Sequence, residues 1–338
     1  MTALRPESWI RPMPAGLFVE PGGFYIDPVR RVDRAIVTHG HSDHARPDQT
    51  HVLATPETLA IMKLRLGERA GRRHQALGYG ETIRIGEVDL KLVPAGHVLG
   101  SAQAVLEYRS QRVVVSGDYK RRLDPTCRPF EVVPCDLFVT EATFGLPVFR
   151  HPDARQEIDR LLHSVRLFPE RCHLVGAYAL GKAQRVIATL RACGYDAPIY
   201  IHGGLLAMCD LYQAHGVELG ELRHVTGVPK SQLEGQIVVA PPSAMNDLWS
   251  RRLPDPLVAF ASGWMRVKQR ARQRGVELPL VISDHADWDE LVQTMRDVQA
   301  PEIWVTHGGE EALMRQASLM GLKARALSLV GYDDEDET

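Results

Sequence analysis

Short apolar runs rich in Val, Ile and Leu recur along the chain, separated by turn residues or by longer mixed segments. The runs at 35–38, 88–93, 112–115, 137–140, 280–283 and 303–306 predict strands, and the alternation with mixed segments predicts an α/β arrangement. Each run is followed within a few residues by a side chain that can hold a metal or move a proton: His39, His97, Asp118, Glu141, His285 and His307. Loops leaving the carboxyl ends of strands are where α/β folds bind ligands, because the sheet fixes their position while the loop frees the side chains. One shared site is therefore expected.

The middle of the chain has an alternation of its own. A helical stretch at 153–167, a strand at 172–175, a helix opening near Gly181 and a strand at 198–201 predict a smaller α/β domain inserted into the first. The expected division is 1–148 for the first part of the main domain, 149–275 for the insert, 276–330 for a return segment completing the main domain, and 331–338 for an acidic tail.

Length agrees with this division, since 338 residues suit about two domains at roughly 150 each. The 40 Lys+Arg against 42 Asp+Glu give a net charge of −2, which excludes coating nucleic acid by bulk charge; an anionic partner must be held locally. No run reaches the ~18–20 apolar residues of a membrane span and the first residues lack a signal-peptide pattern, so a cytoplasmic protein with no membrane partner is expected. Five cysteines with no C-x-x-C pair indicate neither a disulfide framework nor a thiolate zinc site. The 14 histidines are the feature that calls for chemistry.

The segment Thr38-His39-Gly40-His41-Ser42-Asp43-His44 carries H-x-H-x-D-H. In extended chain His39 and His41 point to one side, and Asp43 and His44 follow where the backbone turns, so four ligands within six residues can serve two adjacent metals. A chance match is expected on the order of once per thousand such sequences. His97, in AGHVLGS, and Asp118, in VSGD, are ambiguous alone. Beside the first cluster they gain meaning, because zinc sites draw on His nitrogen and Asp oxygen, and a carboxylate can bridge two metals.

In order and spacing, His39, His41, Asp43, His44, His97 and Asp118 resemble the ligands of the metallo-β-lactamase fold, an α/β protein built as a four-layer αββα sandwich. Glu141 in TEATFG, His285 in SDHAD and His307 in THG resemble the three extra motifs of its β-CASP branch, which contains nucleic-acid nucleases and inserts a β-CASP α/β domain into the core. The strings DPVRRVDRAIVTHGHSDHARP, PAGHVLGSAQ, VVSGDYKRRLDPTC, EATFGLPVFR, AYALGKAQR, AFASGWMRV and ISDHADW are similar to the bacterial ligase-associated DNA exonuclease group, over roughly residues 15–325. The resemblance implies two divalent metal ions, zinc or manganese, one held by His39, His41 and His97, the other by Asp43, His44 and His307, with Asp118 bridging. It implies His285 as general acid, oriented by Glu141. It also implies a two-metal DNA exonuclease working on single strands from the 5′ end, partnered by an ATP-dependent DNA ligase and a helicase in repair.

Other features bear on binding. Five basic residues alternate from Arg266 through Lys268 to Arg274; extended, they would form one positive face, whereas helical winding would spread them around the axis. Lys120 lies two residues beyond Asp118 and is a candidate phosphate contact. The string GAYALGKA nearly spells a Walker A loop but ends in Ala where Mg²⁺ coordination requires Ser or Thr; Gly181 and Lys182 remain candidates for holding a substrate phosphate. An RNA-processing β-CASP nuclease is the alternative, since His at position 307 is the choice common in that branch. A thioester hydrolase would not be expected to need Glu141, His285 and the insert. A non-catalytic binding module would typically have lost ligands, and none is missing.

Overall fold

In a computed structural model, which describes residues 5–327 apart from residue 246, the chain forms two compact units: Met1–Arg150 with His285–Thr338, and His151–Asp284. The tail expected at 331–338 lies outside the described residues.

The first unit opens with a six-stranded sheet of β1 (Ile10–Met13), β2 (Gly16–Val19), β3 (Phe24–Ile26), β4 (Arg34–Ile36), β5 (His51–Ala54) and β6 (Arg73–Ala76), neighbours in that order, with α1 (Pro56–Leu66) between β5 and β6. Strands β1 to β3 pair antiparallel and β3 to β6 parallel. A second sheet begins with β7 (Thr82–Ile85), β8 (Val88–Pro94), β9 (Ala102–Tyr108), β10 (Gln111–Val115) and β11 (Leu137–Ala142).

The second unit contains α2 (Ala154–Leu167), β12 (His173–Gly176), α3 (Lys182–Ala192), β13 (Ile199–Ile201), α4 (Gly203–Ala214), β14 (Leu222–His224), β15 (Ile237–Ala240), α5 (Pro242–Met245), β16 (Leu257–Ala261), α6 (Lys268–Gln273) and β17 (Leu278–Leu280). Its strands form one all-parallel sheet in the order β14-β13-β15-β12-β16-β17. The two central strands, β15 and β12, are buried along their length, as expected where helices cover both faces. The chain then returns to the first unit with α7 (Trp288–Asp297), β18 (Glu302–Gly308), α8 (Glu310–Leu319) and β19 (Lys323–Ala326), completing the second sheet as β19-β18-β11-β10-β9-β8-β7.

The period of two along the strands sorts side chains into layers. Val113, Val115, Leu137, Val139 and Trp304 join the core between the two sheets, together with Leu17, Ile26, Ile36 and Leu90. Their sequence neighbours Val114, Phe138, Ile303 and Val305 face the other way and pack with Leu291 and Met295 of α7 and Leu313 of α8. On the outer face of the first sheet, Ala35, Val37 and Val52 pack against Leu59 and Met62 of α1. The unit is thus the four-layer αββα sandwich.

The strand expected at 280–283 is a correction. The structure ends β17 at Leu280, and the Val281 N–H is taken by Glu157 Oε2 at 2.7 Å rather than by a neighbouring strand. Beyond Leu280 the run, with Val281 half-buried and Ile282 buried, is an irregular segment that periodicity alone cannot separate from a strand. Among the described residues no helix is long and apolar enough to cross a membrane.

Candidate metal centre

The loop from the end of β4 to β5 carries His39, His41, Asp43 and His44, all buried. Asp27, at the end of β3, shapes its start: one carboxylate oxygen accepts the Thr38 N–H at 2.8 Å, and the other accepts the Thr38 hydroxyl at 2.6 Å and meets His44 Nδ1 at 2.7 Å. His97 is held by a loop in which Ser101 Oγ accepts the N–H groups of His97 and Val98. Gly117, at φ +56°, lies so close to Thr38 that a Cβ would meet the Thr38 side chain at 2.7 Å, so only glycine lets β10 deliver Asp118 beside the His loop.

These elements bring the donors together. The ring nitrogens of His39 and His41 are 3.1 Å apart and those of His41 and His97 3.0 Å apart. Asp118 Oδ2 lies 3.4 Å from His39 Nε2, 3.4 Å from His44 Nε2 and 3.8 Å from His97 Nε2. A tetrahedral zinc site with bonds of ~2.0–2.1 Å has ligand–ligand edges of about 3.3–3.4 Å, so the spacing is that of a shared cation. His41 Nδ1 faces two imidazole nitrogens but can carry only one proton, and Asp43 Oδ1 is buried without a hydrogen bond. The donor chemistry fits divalent metal, with His39, His41, His97 and Asp118 in one group and His39, Asp43 and His44 in a second.

The electrostatics agree. Burial, aided by the charge of His44, holds the His39 imidazole well below its ordinary pKa, which keeps its lone pair available. Burial also works against a proton on His44, but the carboxylates of Asp118, Asp43 and Asp27 outweigh it and raise that pKa. The Asp43 carboxyl, which burial alone would raise, is brought to about 2 by the charge and hydrogen bond of His44. This is a pocket of fixed negative charge around imidazoles, the setting a cation occupies.

His285 stands beside the cluster, its ring 4.6 Å from that of His97. Its Nδ1 meets Glu141 Oε2 at 2.9 Å, and Glu141 Oε1 accepts the Tyr119 N–H at 2.7 Å, so both carboxylate oxygens are committed. The neighbouring Ala286 N–H donates to Tyr119 O at 2.6 Å. A carboxylate on Nδ1 fixes the tautomer and leaves Nε2 as the proton-transfer atom. Asp118, Glu141 and His285 also lie close enough to share an ion. Glu141 sits within β11 rather than after it. His307 follows Thr306 in β18, and its side chain lies outside the described residues.

The phosphate-binding expectations fare differently. Lys120 is buried, and its ammonium donates to His285 O and Glu290 Oε2, each at 2.9 Å, so its charge supports the His285 segment instead of facing a substrate. Lys182 is buried in the second unit with Asp284 as ion-pair partner, and the Gly181 N–H is taken by Gln184 Oε1 at 2.8 Å. The arrangement is that of a helix start closed on its own side chains. Arg266 and Lys268 are exposed, but they sit on a short 3-10 turn and on α6, so the alternating bases do not form one extended face. Arg270 of that run stacks on Trp264.

Glu290 yields a stability prediction. Burial would raise its carboxyl, but Lys120, the Asp287 N–H and Arg122 bring it from 4.5 to about 2. A carboxyl depressed in the folded state contributes stability that is complete above pH ~4.5 and is lost as pH falls towards 2, on the order of 3 kcal/mol here. Glu290→Gln should remove it, lowering the urea midpoint at pH 7 and flattening the fall between pH 4.5 and 2 compared with the parent protein.

Asp27 was not among the residues expected from sequence. As an isolated Asp before Pro28 it reads as a turn residue, and its φ of +44° fits that reading. Its role as the hydrogen-bond partner of His44 exists only once β3 and β4 pair. Asp27→Asn should weaken metal affinity by ~10–100-fold, measurable by competition with a chromophoric chelator.

Known proteins are similar to this chain over most of its length. A protein described as "Probable DNA ligase" from Opitutus terrae is 27% identical over 335 residues, covering 95% of this chain and 31% of that protein. Cleavage and polyadenylation specificity factor subunit 3-I of Arabidopsis thaliana is 22% identical, covering 90% of this chain and 55% of its own. A ribonuclease of Thermus thermophilus is 25% identical, with 93% and 89% covered. The chain thus spans about a third and about half of the first two relatives. A solved protein of unknown function from Enterococcus faecalis shares the fold, with a TM-score of 0.58 at 13% identity over 86% of this chain and 78% of that one. No family model matches the sequence. Relatives named as a ribonuclease, a cleavage and polyadenylation factor subunit and a DNA ligase fit the β-CASP and metallo-β-lactamase family that the sequence resembles.

Proposed function

We propose that the chain is a two-metal nuclease that degrades DNA, acting on single strands from the 5′ end in repair linked to an ATP-dependent ligase. The observation that carries the hydrolytic reading is the convergence of six buried metal donors with the His285–Glu141 pair beside them. The DNA half is supported by the alignment of 95% of this chain with a protein named as a DNA ligase.

His39, His41 and His97 would hold one ion, and Asp43, His44 and, from the sequence pattern, His307 the other, with Asp118 between them. Divalent ions there, zinc or manganese, would supply Lewis acidity that acidifies water and offsets charge building on a phosphoryl oxygen. The protein's own groups do the rest. Buried walls keep the donors from bulk water, Asp27 and Thr38 fix the imidazole orientations, and His285 gives its Nε2 proton to the leaving 3′-oxygen while Glu141 stabilises the imidazolium.

RNA is the second reading, favoured by relatives named as ribonucleases. Matched DNA and RNA oligonucleotides labelled at either end, digested with Zn²⁺ or Mn²⁺, test both. The proposal expects faster loss of DNA, with label released from the 5′ end first. Faster RNA cleavage would replace it with the second reading.

A further inference from the structure

Strands β4, β5 and β6 run parallel, and the site described above lies beyond the carboxyl end of β4. Their opposite, amino-terminal ends carry a separate concentration of positive charge. Arg34, His51 and Arg73 are in register across the three strands, forming a row about 10 Å wide at the usual strand spacing. A cleft of about 550 Å³ is lined by that row, and one of about 480 Å³ by Arg30, Arg31 and Arg72 from the loops leading into β4 and β6.

This edge is built rather than incidental. The buried Gln49 side chain accepts the Val32 N–H at 2.8 Å and donates to Arg30 O at 3.2 Å, while its own carbonyl accepts the Arg72 N–H at 3.0 Å. One residue therefore fixes the backbones that carry Arg30 and Arg72. Among the described residues none of Arg30, Arg31, Arg34, Arg72 and Arg73 makes an ion pair, and Asp48, which lines the cleft of Arg30, Arg31 and Arg72, is paired with Arg69 at 2.7 Å. These arginines are also not needed at the α1 C-terminus, whose last turn already has Lys63 and Arg65. Three acids share this edge: Asp33, 3.5 Å from His51, and Asp48 and Glu68 in the cleft of Arg30, Arg31 and Arg72. They are fewer than the five arginines, and the planar fork of each guanidinium suits phosphate oxygens. The charge is spread over two clefts, each far larger than one phosphate, which fits a chain of phosphates better than a single free anion.

We propose that this edge is a phosphate track gripping the backbone of a nucleic-acid strand away from the metal centre. It rests on the nuclease reading for its ligand, but not for its test. Binding of a fluorescent single-stranded oligonucleotide of about twenty nucleotides is measured with chelator present, so that nothing is cut, across a salt series. For single strands each lost phosphate contact lowers the salt slope by ~0.7, so R30E/R31E/R72E should lower it by about 2 and weaken binding at least tenfold. The milder R34Q/R73Q should shift both in the same direction. Hydrolysis of bis(p-nitrophenyl) phosphate with metal restored should be unchanged, because none of these residues touches the donor array. Unchanged affinity and slope in a folded triple variant would overturn the track. So would variants that lose inorganic phosphate or an acidic peptide while keeping the oligonucleotide. Parental protein that shows the salt slope yet never cleaves either nucleic acid would refute the nuclease reading and leave the track standing.

Discussion

Asp118→Asn should bind far less metal than the parent protein and lose activity beyond the ~10²–10⁴-fold that a single general acid supplies. One oxygen of this residue lies 3.4 Å from His39, which belongs to both donor groups, and 3.4 Å from His44 of the second. Replacing the carboxylate with an amide removes the negative charge common to both, and an amide oxygen is a poorer donor to a dication. The buried imidazoles would then face one another without the anion that offsets a cation among them. Elemental analysis of the purified variant, beside its rate on a labelled oligonucleotide, checks the prediction. Full metal content with normal turnover would refute the assignment.

His285→Ala should behave differently. Its metal content should match the parent protein, while kcat falls ~10²–10⁴-fold with KM little changed. The alkaline limb of the kcat–pH profile should flatten as well, since a general acid must be protonated to act. The geometry behind this is the 2.9 Å contact of Nδ1 with Glu141, which spends that nitrogen on orientation and leaves Nε2 for the proton. Because Asp118, Glu141 and His285 lie within reach of a common ion, the rival role is a ligand. Loss of one metal equivalent in the alanine variant would show that role instead. Glu141→Gln separates the functions further: it keeps the Tyr119 N–H contact through its carbonyl but gives up the charge that stabilises the imidazolium, so activity should fall with metal retained.

The contrast between what could and could not be read from sequence follows the range of the interactions. His39 to His44 were legible because six residues of one loop carry four donors, a local pattern. Glu141 and His285 are far apart in the chain; their place after predicted strands marks them as candidates, but only the family resemblance pairs them, and spacing offers no clue to their 2.9 Å contact. Asp27 was missed because its partners, Thr38 and His44, come to it only through parallel pairing of β3 and β4. Lys120 was expected at a phosphate because it follows Asp118, yet a one-dimensional neighbour can point the other way: its ammonium is buried against Glu290 from α7. Sequence proximity predicted the loop but not the direction of the side chain. The basic row of Arg34, His51 and Arg73 was equally invisible, since register across three strands joins positions that the sequence scatters.

If the buried His and Asp array serves the proposed nuclease, cleavage must depend on bound metal, and this dependence can be measured. Its most direct test is a titration of chelator-stripped protein with Zn²⁺ or Mn²⁺, following cleavage of a 5′-labelled single-stranded DNA. No cleavage is expected without metal, with recovery that saturates at about two equivalents, the number the two donor groups can hold. Undiminished cleavage by the metal-free protein would contradict it, as would two bound equivalents with no hydrolysis of DNA or RNA.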